Sequence, residues 1–201
     1  MLRSALLASG LVLSGCALGP HVTPHTAAEQ ASIDAAQSSL DSMRGLAARF
    51  VQVGPGSDTG AGSAWFETGH LRLQYDAPTR RIVVATRGRL TIHDDATDST
   101  TRISLAANPL GLLLSGPVRL SGEIDVTDIQ RSGAALQLSL ARASNPAQGL
   151  LTLFFEVRPD GSLLLSGLEA VDAEQHRTRF HLYDQRVGQT LDEALFMPPG
   201  S

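Results

Sequence analysis

The chain has 201 residues, enough for one domain with a sizeable core, and 42% hydrophobic against 18% charged residues places it among folded rather than disordered proteins. A formal net charge of -4 leaves no basic footprint for nucleic acid. The 16 basic residues are all arginine, which excludes lysine Schiff-base chemistry and the lysine of a phosphate-binding loop.

Residues 1–15 read as an export signal. Arg3 supplies its positive end, and residues 5–12 form an apolar run too short to remain as a membrane-spanning helix. Leu13-Ser14-Gly15-Cys16 follows and resembles the lipobox of bacterial lipoproteins, which makes Cys16 the expected site of lipid attachment. Cys16 is also the single cysteine, so an intrachain disulfide and a thiolate zinc site are both excluded. Ala17 after it is not the acidic residue of inner-membrane retention, so an anchored form is expected in the outer membrane. Residues 16–26, with Gly19, Pro20 and Pro24, read as a tether, and residues 27–201 as a single domain.

Within that domain a helix is predicted over 27–46, with Ile33, Ala36, Leu40, Met43 and Ala47 on one stripe. Residues 46–53 alternate as a strand, with Leu46, Ala48, Phe50 and Gln52 on one face. Residues 54–62 are glycine-rich and read as a hairpin loop. Residues 62–78 then form two strands around a turn at Thr68-Gly69. In the second strand Leu71, Leu73 and Tyr75 face one way, Arg72 and Gln74 the other, and Pro78 ends it. Further strands are expected over 80–86, 90–93 and 101–105. Residues 108–116 break the pattern: Leu110, Leu112, Leu113 and Leu114 make a short helical segment between Asn108-Pro109 and Gly116-Pro117. Strands resume over 123–131, 134–142, 150–157, 162–171 and 177–184, and a helical turn over 191–196 closes the chain.

Many short strands at even spacing describe an antiparallel sheet that curls. Two helices are left over, and each must bury an apolar stripe. The economical arrangement is α+β: an incomplete, half-open antiparallel β-barrel plugged or lidded by helices.

No catalytic constellation emerges. Gly-x-Ser-x-Gly is absent, no glycine-rich phosphate loop opens a helix, and the acidic pairs Asp94-Asp95 and Asp192-Glu193 fall in turns. His21, His25, His70, His93, His176 and His181 read as solvated or locally hydrogen-bonded groups, and His176 and His181 point to opposite faces of one strand. The sequence points away from an enzyme, and neither a metal nor a cofactor is expected. What it does offer is a large apolar inner face on an exported protein.

One set of residues resembles the LolA-type outer-membrane lipoprotein carriers. It runs Leu46-x-x-x-Phe50-x-Gln52, Gly62-x-x-Trp65 and Leu71-Arg72-x-x-Tyr75-x-x-Pro78, then Asn108-Pro109, Gln148-Gly149 and Leu191-Asp192-x-x-Leu195-Phe196, in that order. The resemblance spans residues 40–197. It implies a monomeric periplasmic chaperone that takes acylated lipoproteins from an inner-membrane ABC transporter and hands them to an outer-membrane acceptor of similar fold. It further implies a cavity for acyl chains, for which the candidates are Phe50, Trp65, Leu71, Leu73, Tyr75, Leu136, Leu138, Leu140, Leu153 and Phe155. The lid candidates are Leu40, Met43, Leu110, Leu112, Leu113 and Leu114. Where the family carries an Arg-Pro pair thought to latch the lid, this chain reads Glu67-Thr68-Gly69. With the lipobox, the alternatives are an outer-membrane-anchored acceptor like LolB and a structural envelope lipoprotein.

Overall fold

A computed structural model describes residues 24–114 and 116–199. Cys16 and the expected signal, with most of the expected tether, lie outside the described residues.

The first element is helix α1, Ala27–Ser42. Thr26 and Glu29 cap it reciprocally: the Thr26 hydroxyl accepts from the Glu29 N–H, while the Glu29 carboxylate accepts from the Thr26 N–H at 2.7 Å. It stops one turn short of expectation because Gly45 takes a positive φ of 60° and brings the backbone against Gln189. A Cβ at position 45 would lie 1.9 Å from the Gln189 oxygen, so only glycine fits this crossing.

Eleven strands follow: β1 Leu46–Val53, β2 Thr59–Glu67, β3 His70–Ala77, β4 Arg81–Thr86, β5 Arg89–Asp94 and β6 Ser99–Ser104 precede the central break. After it come β7 Ile124–Ser132, β8 Ala135–Arg142, β9 Gly149–Val157, β10 Leu163–Asp172 and β11 Arg177–Arg186. They form one sheet in the order β6-β5-β4-β3-β2-β1-β11-β10-β9-β8-β7, with neighbours antiparallel. Every connection is a hairpin except one. The chain leaves the sheet at the β6 edge and re-enters at the β7 edge, so residues 105–123 cross the gap that keeps the barrel from closing. The α-helical turn in that crossing is α2, Gly111–Leu114, much shorter than the expected segment, and a 3-10 turn at Leu105–Ala107 precedes it.

Period two sets the faces. On β1 the residues Leu46, Ala48, Phe50 and Gln52 are buried inside the curl, and Val51 and Val53 face solvent. On β8 and β9, Leu136, Leu138, Leu140, Leu151, Leu153 and Phe155 are all fully buried. They join Ile33, Ala36, Leu40 and Met43 of the α1 stripe and its cap in one core. The helix is fastened to the sheet by Ser39, whose hydroxyl donates to the Leu163 carbonyl at 2.9 Å.

The segment expected to be a loop up to residue 62 is instead strand from Thr59. Its glycines serve a close approach. The Tyr75 ring lies across Gly60, where a Cβ would meet it at 2.7 Å, and at Gly62 a Cβ would meet the Gln74 backbone oxygen at 2.0 Å. Because Leu138 is fully buried in close packing, Leu138→Ala should cost about 2–5 kcal/mol, read as a lowered urea midpoint with an unchanged slope.

Candidate functional site

The inner face is not filled evenly. Its β8–β9 half is packed solid, whereas on the β1–β5, β10 and β11 side a cavity of about 270 Å³ remains. Leu71, Leu73 and Tyr75 of β3 form one wall, with Ala64 and Phe66 of β2 beside them and Val83, Leu90 and Ile92 continuing across β4 and β5. Leu165, Leu168, Phe180 and Leu182 face them from β10 and β11. The roof is made by Leu40 and Met43 at the end of α1 and by Leu110, Leu113, Leu114 and Val118 of the crossing.

Of the expected wall residues, the structure therefore brings Leu71, Leu73 and Tyr75 to the cavity. Phe50, Leu136, Leu138, Leu140, Leu153 and Phe155 are on the correct face but lie in the packed core, Phe50 between the Tyr75 and Phe180 rings. Trp65 is on the other face. It sits between Ala47 and Arg72 on the outer, half-buried surface, and the adjacent Phe66 takes the inward place. Among the lid residues Leu40, Met43, Leu110, Leu113 and Leu114 border the cavity. Leu112 turns away from it towards Ile124 and Arg142, as the spacing of one helical turn requires.

Local chemistry builds the lid. The Asn108 side chain accepts from the Leu110 N–H at 2.9 Å, and bonds from Leu112 to Pro109 and from Leu113 to Leu110 tighten the turn. A Cβ at Gly111 would fall 2.1 Å from the Leu105 oxygen. Two separated sequence features meet here: the Pro109 ring lies against Gly149, where a Cβ would be 2.6 Å from it. The lid is held to α1 by Gln37, whose amide nitrogen donates to the Val118 carbonyl at 2.9 Å while its oxygen accepts from the Leu120 N–H at 2.9 Å. Arg119 adds an exposed ion pair with Asp41 at 3.7 Å. Gln37 carried no signal in the sequence, since on an isolated helix it is one more polar residue beside the apolar stripe.

The site expected to latch the lid does something else. Glu67 accepts from the Gly45 N–H at 3.0 Å and so braces the α1–β1 corner. Arg72, on the outer face of β3, donates to the Leu195 carbonyl at 3.1 Å and holds the C-terminal turn Glu193–Phe196 over Val84 and Thr91, both buried on that side. Partial burial without a carboxylate partner pulls the Arg72 pKa down. Asp172, Glu174 and His176 come together at the exposed β10–β11 turn, and Asp172 is occupied in closing that turn by accepting from the His176 N–H at 2.8 Å.

One part of the cavity is polar. Tyr75 reaches over β2 and donates its hydroxyl to the Gln52 side-chain oxygen. The Arg81 guanidinium lies 5.5 Å from the Tyr75 ring centroid, and Thr178 completes this end. Burial pushes the Tyr75 phenol up to about 12; the nearby Arg81 charge opposes the rise and Asp58 adds to it.

These features define a class: a half-open antiparallel barrel that keeps an apolar cavity under a helical lid, a binding module built around volume and not around reacting groups. The sequence model for the outer membrane lipoprotein carrier protein LolA matches residues 41–199, and the chain belongs to that family. No curated protein matches the chain in sequence. Among solved structures it is similar to a LolA superfamily protein from Nitrosomonas europaea, at 10% identity and a TM-score of 0.49, covering 84% of this chain and 97% of that one. A domain from Vibrio parahaemolyticus named for outer membrane lipoprotein sorting is similar at 12% identity and a TM-score of 0.47, covering 82% and 95%. MucB is similar at 17% identity and a TM-score of 0.44, covering 86% and 64%.

Titration of Tyr75 gives a direct test of the buried polar end. Its folded pKa of about 12 exceeds the roughly 10 of an unfolded tyrosine, so the contribution to stability is fully present below pH ~10. As pH rises towards 12 the unfolded phenol ionises first, and the contribution is lost. The tyrosinate absorbance should show a step near pH 12 that Tyr75→Phe removes, and the wild type should lose stability between pH ~10 and ~12 more steeply than the variant.

Proposed function

We propose that this chain carries acylated lipoproteins through the periplasm and delivers them to the outer membrane, with their acyl chains held in the cavity between β3 and the lid. The supporting observation is the cavity's composition: beside its leucines and phenylalanines only Gln52, Tyr75, Arg81 and Thr178 offer polar groups. Such a wall binds by area, worth about 0.8 kcal/mol for each CH2 removed from water, and accepts many cargoes alike. The family to which the chain belongs supports the same reading. Among the described residues no helix is long and apolar enough to cross a membrane.

Release matters as much as capture. The described residues between Leu105 and Glu123, whose backbone bonds to Gly88 and Ala143 tie the two ends, belong to no strand and can leave without unzipping the sheet. When the cavity is empty, Leu110, Leu113 and Leu114 are its nearest apolar filling, and cargo must displace them. Gln37 takes the part of the latch, because its two bonds are the buried side of this crossing's polar attachment to α1, the Arg119–Asp41 ion pair being exposed. The donor in this scheme is an inner-membrane ABC transporter and the recipient an outer-membrane acceptor. The lipobox-like Leu13–Cys16 stretch favours a second form of the same activity, in which lipidated Cys16 anchors the protein as the acceptor itself. Cys16→Ala with fractionation separates the two: a variant that stays in the periplasm and still transfers cargo removes the acceptor form.

The purified domain should draw a labelled lipoprotein off inner-membrane vesicles in the presence of the transporter. Leu73→Glu, which puts a charge on the cavity wall, should abolish that release while circular dichroism stays native. Absence of release by the wild type under every condition would falsify the carrier reading. Gln37→Ala should loosen the lid and tighten equilibrium binding of a fluorescent acyl probe by about three- to tenfold, since removing about one hydrogen bond's worth of closed-state stability lowers the barrier that cargo must offset.

A further inference from the structure

The polar end of the cavity has a composition that plain core would not carry. Tyr75 and Arg81 are direct partners across β3 and β4, while Gln52 lies inward on β1 beside Phe180. Thr178 is two residues from Phe180 on the same face of β11, the diagonal position to Gln52. Four side chains from four strands thus converge at the end of the barrel that holds the β1–β2 and β3–β4 turns. Gly60 makes the convergence possible by letting the Tyr75 ring cross β2.

The hydrogen-bonding inventory of this group is lopsided. The Gln52 oxygen is taken by the Tyr75 hydroxyl. The Gln52 NH2 group, the Thr178 hydroxyl and the Arg81 terminal nitrogens make no hydrogen bond among the described residues. What faces the cavity is therefore a set of unused donors. A ligand that satisfies them must bring acceptors. Charge then narrows the choice. The Nε of Arg81 lies 3.8 Å from Asp94, and Asp58 is close enough to the Tyr75 phenol to oppose its ionisation. At the Tyr75 phenol the Arg81 charge outweighs that of Asp58, but Asp94 already shares the arginine, so the pole has little surplus positive charge to offset the desolvation of an anion while it still donates hydrogen bonds.

We propose that Gln52, Arg81 and Thr178 form a subsite for the neutral carbonyl oxygens of acyl esters, and that this subsite orients the bound lipid. The ester lies at the half-exposed Arg81 rim and the hydrocarbon runs inward along Leu73, Phe66 and the lid leucines. The subsite selects esterified acyl groups over free fatty acids, whose carboxylate would have to be desolvated beside an arginine already shared with Asp94. It rests on the acyl-binding reading of the cavity and specifies its ligand class and direction.

Displacement of a bound fluorescent alkane by three ligands of one chain length decides it: methyl palmitate, palmitate and hexadecane. Wild type should bind the methyl ester about tenfold more tightly than either of the others. Arg81→Met and, separately, the near-isosteric Thr178→Val should weaken the ester by several-fold and leave hexadecane within about twofold, which also shows that the variants are folded. Equal affinity for ester and alkane, palmitate binding as well as the ester, or an equal loss for all three ligands in the variants would each overturn the subsite while leaving an acyl-binding cavity in place. If no ligand is taken up by the wild type at all, the carrier reading fails and the subsite with it.

Discussion

An antiparallel sheet that curls without closing can bury its inner face only as far as something else fills the curl. Here that face belongs to eleven strands, and one four-turn helix is available to cover it. Helix α1 docks on β10, the β8–β9 half is packed to near-zero exposure, and the β2–β5 side is left short of atoms. Packing at ordinary interior density would have placed side chains there. The deficit is what makes a binding site, and the rest of the molecule manages it.

The lid is the cheap part of the structure. Its described residues between β6 and β7 belong to no strand, its α-helical turn is held by short-range bonds, and its hydrogen bonds to α1 are those of one glutamine, beside the exposed Arg119–Asp41 ion pair. Leu113 and Leu114 of the short α2, with Leu110 just before it, turn inward and partly satisfy the wall when the cavity is empty. Because that filling is incomplete, an acyl chain can gain more contact than the lid gives. The two states then differ by an amount that binding energy can reverse. A fully packed core would hold no cargo, and a rigid open cup would expose apolar wall to water.

Periodicity made the faces legible. Alternation in 46–53 and 71–75 placed Phe50, Gln52, Leu71, Leu73 and Tyr75 inward, and the strands recurred where turn residues promised them. It failed where glycines sat inside a strand. The stretch 54–62 has the composition of a loop, yet β2 starts at Thr59, because Tyr75 needs Gly60 bare to cross it. Trp65, which the resemblance offered for the cavity wall, faces outward, and the inward position belongs to Phe66. The pairings of Pro109 with Gly149 and of Arg72 with the Leu195 carbonyl join residues that the sequence offers only as separate fragments.

Amino-acid order alone determined which residues are apolar, at what period they recur, and where the chain must turn. From these follow the strands, the two spare helices and the half-open barrel, since backbone periodicity and turn chemistry are local properties. It could not divide the inner face into core and cavity. Leu138 and Leu73 have the same pattern and the same chemistry, yet Leu138 is fully packed and Leu73 borders the cavity. Nor could it mark Gln37, Arg81 or Thr178. Polar residues on a strand or a helix look alike until the tertiary fold decides which of them meet a partner across the barrel and which are left with donors facing an empty space.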